Sequence, residues 1–300
     1  STDHPDAVRL GLRMKRLGNS IQETIGGRAV HPVNAVLGGF GRLPSSDQLI
    51  MLRNGLLQGV ADGEALIDLF ASLPTADFCH SDTVFAALRS PVDHGYYLGE
   101  EIVVLSNEGR ETVPADSYRS LTNEKAVPHS HAKHSLFNRK PFMVGALARL
   151  SSTTEGLTGR AADAMRNLAL RLPSANPMDN NKAQAIELIH DVEYALATVE
   201  RLLCEGVKEE RRVAVRPRAG TGTAVTEAPR GMLIHSYAYD DGGNLTAADV
   251  VTPTALNAAS IEAHLRHTAE QSREGEEPPL RKKLEMIVRA YDPCISCSVH

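Results

Sequence analysis

Tryptophan is absent from this 300-residue chain, and phenylalanine and tyrosine together supply only 4% of it. With so few rings, the core must come from Leu, Ile, Val, Met and Ala, a palette that leans towards helix. Long apolar runs are missing too. None approaches the ~18 residues that a membrane-crossing helix needs, so direct membrane insertion is not expected. No basic block interrupts the mixed charge, and the net charge is −5, which excludes nucleic acid as an expected partner. No secretory signal precedes Asp3, so cytoplasmic localisation is the default, although a subunit can be exported on a partner's signal. Cysteine is scarce: Cys79 and Cys204 stand alone, and Cys294 and Cys297 form a CxxC near the end. A chain of this length does not need disulfides, and a CxxC reads first as metal or redox chemistry.

What is present is an ordinary globular composition, 42% hydrophobic and 23% charged, able to bury a substantial core. Leu10, Met14, Leu17 and Ile21 recur at helical spacing, predicting a helix over 5–25 that Gly26-Gly27 stops. A second helix is expected from Ser46 or Asp47, as cap, to about Leu73. The β-branched density between Tyr96 and Ser106, with a turn at Asn107-Glu108-Gly109, predicts a strand and hairpin. The stretch 112–140 reads as polar and irregular. Later helices are expected at about 158–170, 177–205, 257–271 and 280–290, with 273–279 a solvated loop. The helix over 177–205 carries Ile186, Ile189, Leu196, Val199 and Leu203 on one face and ends at Gly206. The run from Glu227 to Thr254, centred on Asp240-Asp241-Gly242-Gly243-Asn244, predicts a hairpin. Counted outward from Gly242, Arg230 and Thr254 lie equally far along its arms, which makes them spatial neighbours.

The last ten residues carry the chemistry. Asp292-Pro293 reads as a helix start, with Asp292 the cap and Pro293 the first helical residue. Cys294 would then sit in a first turn that favours thiolate, with Cys297 on nearly the same face. Two such thiolates suit a soft metal pair or zinc. Spacing alone leaves a zinc half-site or a redox pair open, although a structural zinc wants four ligands and no second CxxC exists. A separate string, Val127-Pro128-His129-Ser130-His131-Ala132-Lys133-His134, spaces three imidazoles for a shared metal or, more commonly, for a surface or interface role.

Asp292-Pro293-Cys294-x-x-Cys297-x-x-His300 resembles the C-terminal motif of [NiFe]-hydrogenase large subunits. Glu227-Ala228-Pro229-Arg230-Gly231 before a hairpin and Pro253-Thr254 after it resemble the same family. So do Gly26-Gly27-Arg28 with His31-Pro32, Gly38-Gly39-Phe40, and Gly145-x-Leu147-Ala148-Arg149. The histidine string is similar to one in cytosolic, pyridine-nucleotide-linked members. The resemblance implies a predominantly α, α+β fold: a helix-bundle core with peripheral β-hairpins, in a single large-subunit domain over 1–300. It implies an enzyme of reversible heterolytic H2 cleavage at a Ni-Fe(CO)(CN)2 centre. There Cys294 and Cys297 ligate nickel, the second bridging to iron, and His300 binds magnesium. Arg230 lies over the open metal position, Pro253 lines the cyanide pocket, and Thr254 donates to a cyanide. Electrons would leave through iron-sulfur clusters of a small subunit, towards flavin and NAD(P) subunits.

The family holds nickel with four thiolates, two from an N-terminal Arg-x-Cys-x-x-Cys that this sequence does not contain. Neither Cys79 nor Cys204 has that spacing. A further segment or polypeptide carrying a CxxC is therefore an expected partner. Two rival classes stand beside the enzyme. One is a non-catalytic assembly component related to the respiratory-complex large subunit, a relative that has lost the cysteines. The other is a hydrogen-sensing relative, which turnover rate would separate.

Overall fold

In the computed structural model, residues 5–89, 98–122, 124–152, 157, 159–272, 277–294 and 297 are described. Helix α1 (Pro5–Gly26) leads through the short strands β1 (Ala35–Val36) and β2 (Gly39–Phe40) to α2 (Ser46–Ser72). Strands β3 (Val84–Arg89), β4 (Glu101–Ser106) and β5 (Gly109–Pro114) follow, then a 3-10 segment, Ala115–Ser120. Next come β6 (Lys125–Val127), β7 (Ser130–His134), β8 (Phe142–Met143), α3 (Ala146–Ser152) and α4 (Gly159–Asn167). The rest is α5 (Asn180–Glu205), β9 (Gly220–Ala228), β10 (Gly231–Tyr239), β11 (Leu245–Val251), α6 (Pro253–Glu270) and α7 (Glu277–Tyr291).

The chain groups into two compact units, each built from three separate stretches. One comprises Ser1–Leu73, Thr158–Leu168 and Ala185–Pro217; the other comprises Pro74–Leu157, Ala169–Gln184 and Arg218–His300. The first is a helix bundle. Met14 of α1, Leu49, Leu52, Leu56 and Val60 of α2, and Val192 and Val199 of α5 form its core, the stripes that 3.6-residue periodicity predicts. Ser45, one residue before the expected cap, starts α2. Its hydroxyl accepts from Gln48 N–H (3.2 Å) while Gln48 Oε1 accepts from Ser45 N–H (3.0 Å), and that reciprocal pairing selects Ser45 over its neighbours.

The second unit holds the sheets. One has the strand order β5-β4-β3-β8, β3 and β8 being parallel; another is the meander β11-β10-β9, and β6-β7 is a hairpin. Leu88, Ile102, Tyr118, Phe142, Met232, Ile234 and Leu256 meet in its core. Several sequence expectations shift here. The hairpin over 227–254 is the second half of the β9-β10-β11 meander, because Thr221, Thr223 and Val225 extend a third strand. The irregular middle contains the rest of β5, the 3-10 segment and the β6-β7 hairpin. Helix α6 begins four residues before Asn257, since Thr252 Oγ1 accepts from Ala255 N–H (3.4 Å) and Pro253 takes the first helical position. Helix α4 ends at Asn167, and Ala169 adopts a left-handed φ of 48°. Tyr96 lies outside the described residues, as do 273–276 of the expected loop, whereas Glu277–Pro279 open α7.

Candidate metal centre

Arg230 occupies a two-residue turn rather than a strand arm: Ala228 pairs with Gly231, leaving Pro229-Arg230 as the connection between β9 and β10. Gly231 has φ of 132°, and a Cβ there would stand 2.3 Å from Val144 Cγ2. Only glycine fits. The turn is clamped from beneath. Arg149, a buried residue, donates to the carbonyls of Ala228 and Pro229 (3.0 Å each) and to Glu227 Oε2 (2.7 Å). Glu227 Oε1 accepts from Leu88 N–H (2.8 Å). Removing one member of such a buried pair typically costs ~3–5 kcal/mol, because the other charge is stranded. Asn257 completes the clamp. Its amide pairs with both backbone groups of Val144 (2.9 and 3.3 Å), and its Nδ2 donates to the Arg230 carbonyl (3.3 Å).

The cysteine end departs from the expected helix start. Helix α7 stops at Tyr291, and Asp292, at φ 48°, donates its N–H to Arg289 O (3.1 Å). Asp292 therefore closes a helix instead of capping a new one, and Pro293 and Cys294 lie in no helix. Asp292 O accepts from Arg230 Nε–H (2.5 Å), and Asp292 Oδ2 forms an ion pair with the same guanidinium at 2.9 Å. The Cys294 N–H donates to Thr254 Oγ1 (3.2 Å) in the first turn of α6, and Cys297 N–H donates to Cys294 O (3.3 Å). That i→i+3 bond folds the CxxC into one turn. Arg230, Thr254, Cys294 and Cys297 thus meet at one corner, and Pro253 is buried beside Thr254. His300 lies outside the described residues.

A buried polar chain anchors the helix that delivers this turn. Asn180 Nδ2 donates to Ala290 O (2.7 Å), and the Tyr291 hydroxyl lies 2.8 Å from Ser260 Oγ and 2.7 Å from His264 Nδ1. The far ring nitrogen of His264 is 3.3 Å from Thr83 Oγ1. Burial pulls the His264 imidazole down to about 4, with the His267 charge adding. An unfolded histidine titrates near ~6.5. Between those values the unfolded chain binds a proton that the folded chain refuses, so stability falls as pH drops through that window. At ~1.4 kcal/mol per unit, the expected loss from pH ~6.5 to ~4 is about 3 kcal/mol. His264→Gln should flatten that limb of a urea-denaturation series, and an unchanged slope would count against the assignment.

Residues 80–300 match the nickel-dependent hydrogenase family. The chain belongs to that family. It is 36% identical over 295 residues to the sulfhydrogenase 1 subunit alpha of Pyrococcus furiosus, covering 98% of this chain and 67% of that one. It is 26% identical over 334 residues to the NAD-reducing hydrogenase HoxS subunit beta of Cupriavidus necator, covering 99% and 66%. Among solved structures, an NAD+-reducing [NiFe]-hydrogenase in the H2-reduced state superposes with a TM-score of 0.82 at 24% identity, over all of this chain and 70% of that one. The fold is that of the [NiFe]-hydrogenase large subunit, predominantly helical with small sheets.

In this hydrogenase chain the donors at the corner fit a soft metal. Burial holds the Cys297 thiol above its ordinary range and the Cys294 sulfur pushes it further, while the Arg230 charge and the Thr254 hydroxyl pull it down. Two bare thiolates would repel one another in this half-buried turn. A cation removes that conflict and displaces the thiol protons as it binds. The hydrogenase strings Gly145-x-Leu147-Ala148-Arg149 and Glu227-Ala-Pro-Arg-Gly meet at the Arg149–Glu227 pair, a role that sequence reading did not assign. Asn257, Asn180, Tyr291, His264 and Ser260 were missed as well. Their only sequence signal is a polar residue at an otherwise core-facing helical position.

Proposed function

We propose that this chain supplies two thiolates to a nickel-iron centre and catalyses H2 ⇌ 2H+ + 2e−. The observation that carries this reading is the convergence of Arg230, Thr254, Cys294 and Cys297 at one corner, in a member of this family. When bound, the centre, with CO and two cyanides on its iron, supplies heterolytic cleavage of H2. Cys294 and Cys297 would hold the nickel-iron centre, and a cysteine sulfur would be the group that receives the proton. Arg230 acts as a fixed positive charge. A guanidinium is not deprotonated in proteins, and its pairing with Asp292 fixes its orientation, so the electrostatic role is favoured over a basic one. Pro253 contributes apolar surface on the cyanide side. Thr254, whose oxygen already accepts from Cys294, has a hydroxyl hydrogen to offer a cyanide nitrogen. His300 and a magnesium ion complete the set.

Four thiolates hold the nickel in this reading, and the second pair comes from a CxxC on a segment or polypeptide outside these 300 residues. Electrons pass to iron-sulfur clusters of a small subunit and on to flavin and NAD(P) subunits. The NAD-reducing relative and the string Val127-Pro128-His129-Ser130 with Ala132-Lys133-His134 support that branch. A cytoplasmic site of action belongs to the same reading; among the described residues, no helix is long and apolar enough to cross a membrane. Infrared spectroscopy of the purified complex tests the reading. Metal-bound CO and cyanide bands are expected, and a nickel-replete complex without them would overturn it.

A further inference from the structure

The β6-β7 hairpin turns at Pro128-His129, since Val127 pairs with Ser130, and it packs against α6. That packing brings Glu262 of α6 to the hairpin's histidines. Glu262 Oε2 lies 3.0 Å from His129 Nε2 and 3.6 Å from His134 Nδ1. One ligand atom from each of the three side chains lies within 4.8 Å of the others. The two imidazole rings stand nearly perpendicular, at 84° with centroids 5.7 Å apart, so they do not stack, and a nitrogen of each lies against the same Glu262 oxygen. His131 takes no part. Strand side chains alternate, and on β7 His131 and Lys133 are exposed while Ala132 is buried and His134 is half-buried.

We infer that His129, His134 and Glu262 form a binding site for a divalent zinc ion that ties the β6-β7 hairpin to α6. Two imidazoles and one carboxylate are borderline donors of the kind zinc takes with three protein ligands and an open position. The carboxylate is already divided for that task. Arg266 Nη2 donates to Glu262 Oε1 (3.0 Å), leaving Oε2 to face the histidines, as outer partners commonly orient a ligating group. Room for a fourth, solvent-derived ligand exists. A cavity of about 340 Å³ opens beside the cluster, lined by His134, Pro141, Glu262, Arg266, His267 and Glu270. A plain histidine–glutamate ion pair would explain one short contact. It does not explain why a second, half-buried imidazole turns onto the same oxygen. The site is remote in sequence from the CxxC and does not rest on the nickel-iron reading.

The test is zinc binding by the full protein, measured by equilibrium dialysis against zinc chloride, with wild type compared with His129→Ala, Glu262→Gln and His131→Ala. The two ligand variants change partly exposed side chains, so folding is not at stake, and zinc held by thiolates is common to all four proteins. Wild type should bind one zinc more than His129→Ala or Glu262→Gln, or bind it tighter by more than the ~10–100-fold that an outer partner contributes. His131→Ala should match wild type. Cobalt(II) at this site should give a visible spectrum that Glu262→Gln abolishes and Cys294→Ser leaves in place. Equal zinc binding by wild type and both ligand variants would overturn the assignment, as would a loss in His131→Ala equal to theirs.

Discussion

Cys294→Ser should empty the nickel site and abolish H2 turnover while the chain stays folded. Serine keeps the backbone hydrogen bond to Thr254, because that contact uses the Cys294 N–H. It substitutes a hard hydroxyl, un-ionised near neutral pH, for the soft thiolate that nickel selects. Losing a direct ligand should cost more than the ~10–100-fold typical of an outer partner, so nickel measured by elemental analysis should fall to background. Cys204→Ser offers the contrast. Cys204 is exposed on α5, in the helix-bundle unit, and its loss should leave nickel and turnover unchanged. Full nickel occupancy in Cys294→Ser would refute the ligand assignment.

Arg230→Lys should retain the metals and lose turnover by on the order of 10²-fold, the usual cost of removing one preorganised electrostatic group. The geometry gives the reason. Arg230 donates its Nε–H to the Asp292 carbonyl and pairs with the Asp292 carboxylate, which leaves the rest of the planar fork directed by that anchor. An ammonium has no second donor set in a fixed plane, so lysine can either pair with Asp292 or face the sulfurs. The measurement is kcat at constant nickel content, with the infrared bands as a check on the centre. Near-wild-type kcat with intact metals would remove Arg230 from the machinery.

Much of this molecule is local and could be read along the chain. The stripe Leu10, Met14, Leu17 and Ile21 and the face Ile186, Ile189 and Val199 are set by a 3.6-residue period, and α1 and α5 follow them. The CxxC spacing is that of one i→i+3 turn, and the Cys297 N–H to Cys294 O bond closes such a turn although the expected helix start at Asp292 is not there. The error at Asp292 has a local cause as well. Asp-Pro is a helix-start signal, but α7 was still running into it, and a residue with φ 48° ends a helix.

The sequence by itself determined the family, the helix stripes and the spacing of Cys294 and Cys297, because each is a pattern within a short window. Only the tertiary structure decided how distant parts meet. Arg149 and Glu227 are 78 positions apart, Cys294 and Thr254 are 40 apart, and His129 and Glu262 are 133 apart. No periodicity links such pairs. They form because a buried arginine must find a carboxylate, because a tight turn at Gly231 admits no side chain against Val144, and because α6 packs on the β6-β7 hairpin with Glu262 on the covered side. Packing and desolvation act across the whole unit, so they choose partners that a linear reading cannot rank.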